Sequence, residues 1–288
     1  MGFLKKLFRK IRKQASQLTV WSVIIAVILV LGGYYSFIRF THGLSDVTAL
    51  SDRFPWGLWI GFDILCGVGL AAGGFTITCM VYIFNIKKLH SITRPTVLTA
   101  FLGYALVNLA LIYDIGRPYN IWHPLLMWNP HSVMFEVAWC VMIYTSVLSL
   151  EFAPVVLERF KMKAATRLLR RILIPLVIMG VLLSTLHQSS LGTVFLIAPY
   201  KMHPLWYTPL LPIFFFLSAV AVGLAMTIFE SFLSYRFFRR QLEMEVLDIL
   251  ARMSGFLLVL YLALMIVDLK NRSAFTFLTN FRSEETPL

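Results

Sequence analysis

Charged residues are scarce in this chain of 288 residues. Asp, Glu, Lys and Arg make up 14% of it, whereas hydrophobic residues make up 59%. A soluble domain typically has roughly 25% charged residues, and a soluble fold of this length has no interior large enough for so much apolar surface. A lipid bilayer accepts apolar surface on the outside of a fold. The composition therefore excludes an ordinary soluble domain and predicts a membrane protein.

Cysteine and histidine are too few and too dispersed for the common metal sites. Cys66, Cys79 and Cys140 lie in apolar runs without a C-x-x-C spacing, which argues against a zinc site, an iron–sulfur cluster or a disulfide framework. Of the six histidines, only His187 lies clearly inside an apolar run, so a haem held by two histidines is not expected. The G-x-G-x-x-G and P-loop patterns are also missing from the sequence. No metal or haem is therefore predicted.

The chain does have seven apolar runs that are long enough to cross a bilayer, for which roughly 20 residues are needed. The runs cover residues 21–40, 55–85, 95–115, 133–156, 172–190, 205–235 and 246–268. They predict an all-α integral membrane protein, a bundle of about seven transmembrane helices in residues 21–268. Residues 1–20 are predicted to be a basic N-terminal tail, and residues 269–288 a C-terminal tail.

Lys and Arg are distributed unevenly between the connections. The N-terminal tail and the second, fourth and sixth connections contain eighteen of them, and the other connections with the C-terminal tail contain seven. Because these residues accumulate in cytoplasmic loops, we expect the N-terminus in the cytoplasm and the C-terminal tail in the periplasm. The formal charge of +12 follows from this topology. Membrane lipids, and no nucleic acid, are therefore the expected surroundings.

Ionisable side chains inside apolar runs are costly and are functional candidates by default. With the predicted helix directions, four of them lie at similar depth in the periplasmic half: Asp63, Asp114, Glu136 and His187. Glu151 and Glu230 lie toward the cytoplasmic ends of their helices. Structural explanations stay open for several of these residues. Asp114 and Arg117 would also form an ordinary ion pair, Glu151 and Glu230 would neutralise basic loops, and His187 would be a satisfied core residue.

The second run reads FDILCGVGLAAGGF at residues 62–75. At helical spacing, Asp63, Gly67 and Gly74 share one face. Small residues let a neighbouring helix or a flat ligand approach the backbone closely. An acid beside such a smooth wall suits a pocket for a hydrophobic ring with polar carbonyl groups, and helix packing alone is the alternative explanation of the glycines.

The segment FPWGLWIGFDILCGVGLAAGGF at residues 54–75 resembles the second helix of the NrfD/PsrC family of quinone-interacting membrane subunits. Five further segments occur in the order expected for the family: RPTVLTAFLGY (94–104), SVMFEVAWCVMIY (132–144), LEFAPVVLERF (150–160), LHQSSLG (186–192) and YKMHPLWYTPLLP (200–212). The resemblance extends over about residues 37–268 and is strongest to the hydrogenase-2 membrane subunit HybB.

The resemblance implies a multi-pass protein of the bacterial inner membrane, without haem, that binds menaquinone or ubiquinone near the periplasmic face. Electrons would arrive from a periplasmic ferredoxin-like subunit with 4Fe-4S clusters and, through it, from a nickel–iron hydrogenase or another catalytic subunit. The acids and the histidine of the family correspond to Asp63, Asp114, Glu136 and His187. Family members have more spans than the seven found here, which implies a truncated product, a split gene or a shorter variant.

The resulting hypothesis is a subunit of a respiratory oxidoreductase that passes electrons to the quinone pool, with proton translocation as an extension. Asp63 and His187 would bind the quinone carbonyls, and Glu136 and Asp114 would relay protons. The other residues expected at the quinone are Gly67, Gly74, Gln188, Arg117 and His203. Two alternatives remain, a passive membrane anchor for extrinsic subunits and a proton-coupled transporter.

Overall fold

The computed structural model describes residues 20–51, 54, 56–239 and 241–279. Within these residues all regular structure is helical, and seven helices are long and apolar enough to cross a membrane. They are α1 (Val20–Thr41), α2 (Leu58–Ile83), α3 (Lys87–Asp114), α4 (Val133–Arg159), α5 (Leu173–Leu196), α6 (Leu211–Phe238) and α7 (Met244–Asn271). The shorter helices are Pro118–Asn120, His123–Leu126, Lys163–Arg171, Pro199–Lys201 and Thr276–Thr279. The predicted all-α class is confirmed.

The helix limits differ from the apolar runs most in three places, by six to eight residues. Helix α3 starts eight residues before Pro95, α5 continues to Leu196, and α6 begins only at Leu211. Turns occupy residues 204–210, where the amide of Trp206 donates to the carbonyl of His203 at 2.9 Å. An apolar run reports which residues tolerate lipid, whereas a helix end is set by backbone hydrogen bonds. Residues 1–19 and 280–288 of the two predicted tails lie outside the described residues.

Helix α2 is irregular along its length. It is π-helical at Gly61–Gly67 and Cys79–Ile83 and α-helical at Val68–Ala71 and Gly73–Thr78. A π-helical turn has hydrogen bonds from residue i to i+5 and occurs frequently at functional sites. Each such turn also changes which side chains point in the same direction, so a constant period of 3.6 residues does not hold through α2.

The chain divides into two compact units, and the smaller contains the residues up to Gly57 together with Tyr113–Gly116. Within it the guanidinium of Arg39 is buried, with 4% of the residue exposed. Its Nε donates to the carbonyl oxygen of Tyr113 at 2.8 Å, and its Nη2 donates to that of Ile115 at 2.5 Å. The last carbonyl groups of a helix have no hydrogen-bond donors within the helix. Arg39 provides these donors at the end of α3.

The larger unit contains the rest of α3 and helices α2 and α4–α7. Consecutive helices α4–α5, α5–α6 and α6–α7 pack together, and α2 packs against α5 and α6. Glycines bring two backbones close together at the contact of α2 with α6. A Cβ on Gly223 would lie only 2.7 Å from the carbonyl carbon of Ala72. Small residues permit such close packing between membrane helices.

The connections between helices lie at two ends of the larger unit, one rich in basic residues and the other in tryptophan. At the first end, the starts of α3 and α7 meet, because Lys88 contacts Glu245 at 3.0 Å and Ser91 donates to Glu243 at 2.6 Å. We call this the basic end; its connections are residues 84–86, 160–172 and 239–243. The opposite end contains the connections 117–132, 197–210 and 272–275. We call it the tryptophan end because Trp122, Trp128 and Trp206 lie there.

Candidate functional site

A cavity of about 530 Å³ lies between α2, α6 and α7, and Leu205, Trp206 and Thr208 of the tryptophan end also line it. We call it the α2–α6–α7 cavity. Most of its wall is apolar, with side chains such as Leu65, Leu70, Phe214, Phe215, Val222, Tyr261 and Met265. Small-molecule sites usually have volumes of about 300–1,000 Å³ and apolar walls with a few polar groups. The cavity therefore has the size and the lining of a site for a largely hydrophobic ligand.

The polar side chains of the lining include Gln188 of α5, Ser218 of α6, Thr208 of the connection, and Asp268 and Arg272, which lie in the last turn of α7 and directly after it. Gln188 is only 2% exposed, and its Nε2 has no hydrogen-bond partner among the described residues. Leaving a buried donor unsatisfied costs about 1–3 kcal/mol. A ligand carbonyl that accepted this hydrogen bond would recover that free energy.

Asp268 and Arg272 form a paired group that fixes the wall of the cavity. Asp268 accepts hydrogen bonds from Thr208 Oγ1 at 2.8 Å and from Arg272 Nε and Nη2 at 2.9 and 2.7 Å. The second terminal nitrogen of Arg272, Nη1, donates to the carbonyl oxygens of Pro204 and Tyr207 at 2.9 and 2.6 Å. One guanidinium thus joins α7 to the connection before α6. The pair holds residues 204–208, three of which line the cavity, in place.

His187 lies on another side of α5, in the core formed with α3 and α4. It is fully buried, and its ring centroid is 5.9 Å from that of Tyr104, which is in turn 4.6 Å from the ring of Tyr144. The hydroxyl of Ser184 lies near both phenol groups without reaching hydrogen-bond geometry. Within the described chain, neither ring nitrogen of His187 has a hydrogen-bond partner. An imidazole, two phenols and a hydroxyl from three helices therefore meet in one buried core.

Glu136 and Glu151 lie at the two ends of this polar cluster. At one end, Ser190 of α5 donates to Oε1 of Glu136 at 2.5 Å. At the other end, the carboxylate of Glu151 packs against Gly180, where an added Cβ would lie 3.1 Å from Oε1. Residues 180, 184, 187 and 190 are three or four positions apart on α5 and so follow one side of the helix. We call this series of polar groups, from Glu136 to Glu151, the α4–α5 polar row.

A family comparison matches residues 46–283 of the chain to the family described as "Polysulphide reductase, NrfD". This match covers most of the chain. The chain belongs to the NrfD family. With its seven apolar helices, it is a multi-pass protein of the inner, or cytoplasmic, membrane. The resemblance of the sequence segments to this family is thereby confirmed.

Curated members of the NrfD family are similar over most of this chain. The "Probable Ni/Fe-hydrogenase 2 b-type cytochrome subunit" of Escherichia coli K12 is 40% identical over 67% of the chain and 50% of its own length. The "Menaquinone reductase, integral membrane subunit" of Nitratidesulfovibrio vulgaris is 32% identical over 89% of the chain and 64% of its own length. The chain thus spans between half and two thirds of these relatives. No solved structure matches it significantly.

The structure separates the residues predicted for the quinone site in this NrfD protein. Gln188 lines the α2–α6–α7 cavity, whereas His187 and Glu136 belong to the α4–α5 polar row. Asp63 is half-buried in the first π-helical part of α2, and it lines neither the cavity nor the row. Asp114 belongs to the smaller unit. Within the larger unit, Asp63 therefore lies apart from the row that contains His187 and Glu136. The roles predicted for the four ionisable residues stay predictions.

The remaining predicted residues lie away from the cavity lining. A Cβ on Gly67 would meet Val107 at 3.1 Å, and one on Gly74 would meet Ala100, so both glycines face α3. Helix packing accounts for this contact, and Gly69 is the glycine of α2 that lines the cavity. Arg117 is exposed at the tryptophan end, and so is His203, whose Nδ1 accepts from the amide of Leu205 at 3.1 Å.

Several polar residues of the two sites escaped the sequence analysis. Tyr104, Tyr144, Ser184 and Ser190 are uncharged and common in membrane helices, so no local signal distinguished them. Asp268 was taken as the end of the last apolar run and Arg272 as part of the C-terminal tail, although their i, i+4 spacing is typical of a helical ion pair. Among the described residues, no group of three or more His, Cys, Asp or Glu side chains is arranged to hold a metal.

Proposed function

We propose that this chain is the quinone-reactive membrane subunit of a respiratory oxidoreductase complex, with the quinone ring in the α2–α6–α7 cavity. The observation that carries the proposal is the combination of apolar walls with a buried amide donor, Gln188 Nε2. A quinone has a flat ring with two carbonyl oxygens and an apolar tail. Gln188 donates to one carbonyl, and the remaining N–H of Arg272 Nη2 is a further donor in the wall, while the tail follows the apolar side chains.

The names of the relatives support this substrate class. One relative is a menaquinone reductase subunit and another, from Archaeoglobus fulgidus, is a "Hdr-like menaquinol oxidoreductase integral membrane subunit" that is 26% identical over 88% of the chain. Menaquinone is accordingly our proposed substrate, with ubiquinone as the alternative. The hydrogenase relative favours a nickel–iron hydrogenase as the source of electrons. A ferredoxin-like subunit with 4Fe-4S clusters would deliver two electrons at the tryptophan end.

We place the tryptophan end in the periplasm and the basic end in the cytoplasm. The support is the excess of Lys and Arg on one side of the predicted topology. The segment from Arg159 to Arg171 at the basic end contains six of these cations. In this orientation the extrinsic iron–sulfur subunit binds at the periplasmic face, and the N-terminus lies in the cytoplasm. The quinone then lies close to its electron donor.

Quinone reduction consumes two protons for each two electrons, and the α4–α5 polar row is our proposed route for them. Glu136 and Ser190 are in hydrogen-bond contact, and His187 lies one turn from Ser190 on the same helix. Beyond His187, the phenols and Ser184 lead toward Glu151, which also lines a second cavity of about 400 Å³. Protons taken from the basic end through Glu151 would make the reaction charge-separating.

The substrate assignment is tested by titrating the purified chain in lipid nanodiscs with a menaquinone analogue. Gln188→Leu removes the buried donor and keeps the side-chain volume, so we expect roughly 5- to 30-fold weaker binding, as for the loss of one hydrogen bond to a buried group. Gln241→Leu, at the basic end, is the matched control and should bind as wild type does. If wild type shows no saturable binding, the chain is a passive anchor and the proposal fails.

The proton roles are tested separately in the assembled complex. We expect Glu136→Gln to slow quinone reduction by about 10²-fold, the lower value for removal of a positioned acid–base group, while binding of the quinone analogue is retained. Asp63→Asn tests the predicted contact of Asp63 with the quinone in the same way. Reduction at the wild-type rate by the Glu136→Gln variant would remove Glu136 from the route. Uptake of a solute by liposomes that contain only this chain would instead favour a transporter.

A further inference from the structure

The connection between α4 and α5 is unusually basic. Six cations lie in the thirteen residues from Arg159 to Arg171, and helix Lys163–Arg171 contains four of them. Beside this connecting helix is a cavity of about 530 Å³, which is open to its surroundings at the basic end. Its lining includes Lys161, Lys163, Thr166, Arg167, Arg170 and Arg171. Neither the quinone cavity nor the polar row uses these residues.

The cations of this cavity are only partly neutralised by the protein. Glu158 is the carboxylate in the lining; it is ion-paired with Arg170 and lies 4.0 Å from Arg94. The four other cations of the cavity are exposed, and none has a carboxylate within 4.0 Å among the described residues: Lys161, Lys163, Arg167 and Arg171. Clustered charges of one sign repel each other and attract ions of the opposite sign. The cavity is therefore suited to an anion with more than one oxygen.

Apolar side chains are exposed next to these cations. Phe160, Met162 and Leu168 are 71%, 52% and 61% exposed, and Ile172 is 39% exposed. Helix α4 ends at Arg159 and α5 begins at Leu173, so the connecting helix lies at the level where two membrane spans end. A helix with cations on one face and exposed apolar residues on the other is typical of the membrane interface. A small soluble anion would contact the cations only and would leave these apolar side chains without a binding partner.

We propose that this cavity is a binding site for the headgroup of an anionic phospholipid. Its phosphate oxygens contact Lys163 and Arg167, with Lys161 and Arg171 at the sides, and its acyl chains follow the exposed Leu168 and Ile172. Basic pockets beside membrane helices bind cardiolipin and similar headgroups. Such a lipid stabilises the connection between α4 and α5, the two helices of the polar row.

The site is tested by native mass spectrometry of the full chain with cardiolipin and with phosphatidylcholine. Lys163→Gln combined with Arg167→Gln removes two lining charges. Lys87→Gln combined with Arg236→Gln removes the same charge from exposed positions of the basic end, away from this cavity. At about 1 kcal/mol for each basic residue near anionic lipid, we expect roughly 30-fold weaker cardiolipin binding for the first pair. The second pair should change it less than roughly 3-fold.

Four results would overturn the proposal. Equal losses in the two double variants would mean diffuse attraction to the whole basic end. Equal binding of cardiolipin and phosphatidylcholine would mean that the headgroup charge is not recognised, and full competition by glycerol phosphate would mean that the site takes a free phosphate. The variant pair Lys163→Arg and Arg167→Lys keeps both charges and should bind cardiolipin as wild type does. Its failure to bind would refute a site based on charge.

Discussion

The ion pair of Asp268 with Arg272 gives a sharp test of how the cavity wall is held. Asp268→Asn keeps the size of the side chain but removes the negative charge and one acceptor oxygen. The asparagine amide would then face the guanidinium that now donates to the carboxylate at 2.7 and 2.9 Å. We expect the variant to fold, with a lower free energy of unfolding and a looser connection at residues 204–208.

The expected loss in free energy of unfolding follows from the burial of the pair. Asp268 and Arg272 have side chains that are 8% and 24% exposed. Breaking a fully buried pair costs about 3–5 kcal/mol, and a hydrogen bond to a charged group contributes about 1.5–3 kcal/mol. Arg272 keeps its hydrogen bonds to Pro204 and Tyr207, and one oxygen acceptor remains in asparagine. We therefore expect the free energy of unfolding to fall by about 2–3 kcal/mol, less than for a fully buried pair and in the upper part of the range for one charged hydrogen bond.

The same helix supplies the control. Asp248 and Arg252 also form an i, i+4 pair in α7, but their side chains are 54% and 79% exposed. Exposed pairs contribute about 0–1 kcal/mol, so Asp248→Asn should be nearly neutral. Both variants are unfolded by SDS titration in mixed micelles, and amide hydrogen exchange is followed at residues 205–208. Equal losses for the two variants, or unchanged exchange in Asp268→Asn, would refute the role assigned to the buried pair.

Three further substitutions test the packing and the polar row. Gly223→Ala should lower the free energy of unfolding by about 1–3 kcal/mol, because the added methyl group overpacks the contact with α2. The control Gly255→Ala, at a position with open space around it, should be neutral or slightly stabilising in the same SDS titration. Equal effects of the two substitutions would contradict the close approach of α2 and α6. Gly180→Ala should displace the Glu151 carboxylate and reduce proton uptake by the complex in liposomes, while binding of the menaquinone analogue stays unchanged; unchanged uptake would remove Glu151 from the route. Arg39→Gln should speed amide exchange at residues 113–116, and wild-type exchange would contradict its role at the end of α3.

Hydropathy alone determined the all-α membrane class and the seven spans found in the described residues. Each of the seven predicted runs became a helix, because a span of apolar residues satisfies its backbone only within itself when water is excluded. Motif segments such as FDILCGVGLAAGGF and LHQSSLG, taken in their order along the chain, also identified the family correctly. These are properties of local sequence, and no contact between distant residues is needed to read them.

Tertiary structure decided which side chains meet. His187 and Gln188 are neighbours in sequence, yet they point to different sites, because successive residues of a helix lie about 100° apart and only the packing of α5 fixes what each one faces. The π-helical turn around Asp63 changes its direction in a way that a constant period does not predict. The contacts of Asp268 with Thr208 and of Glu136 with Ser190 join residues 60 and 54 positions apart. Such contacts depend on how the helices pack, which the residues of one helix do not determine.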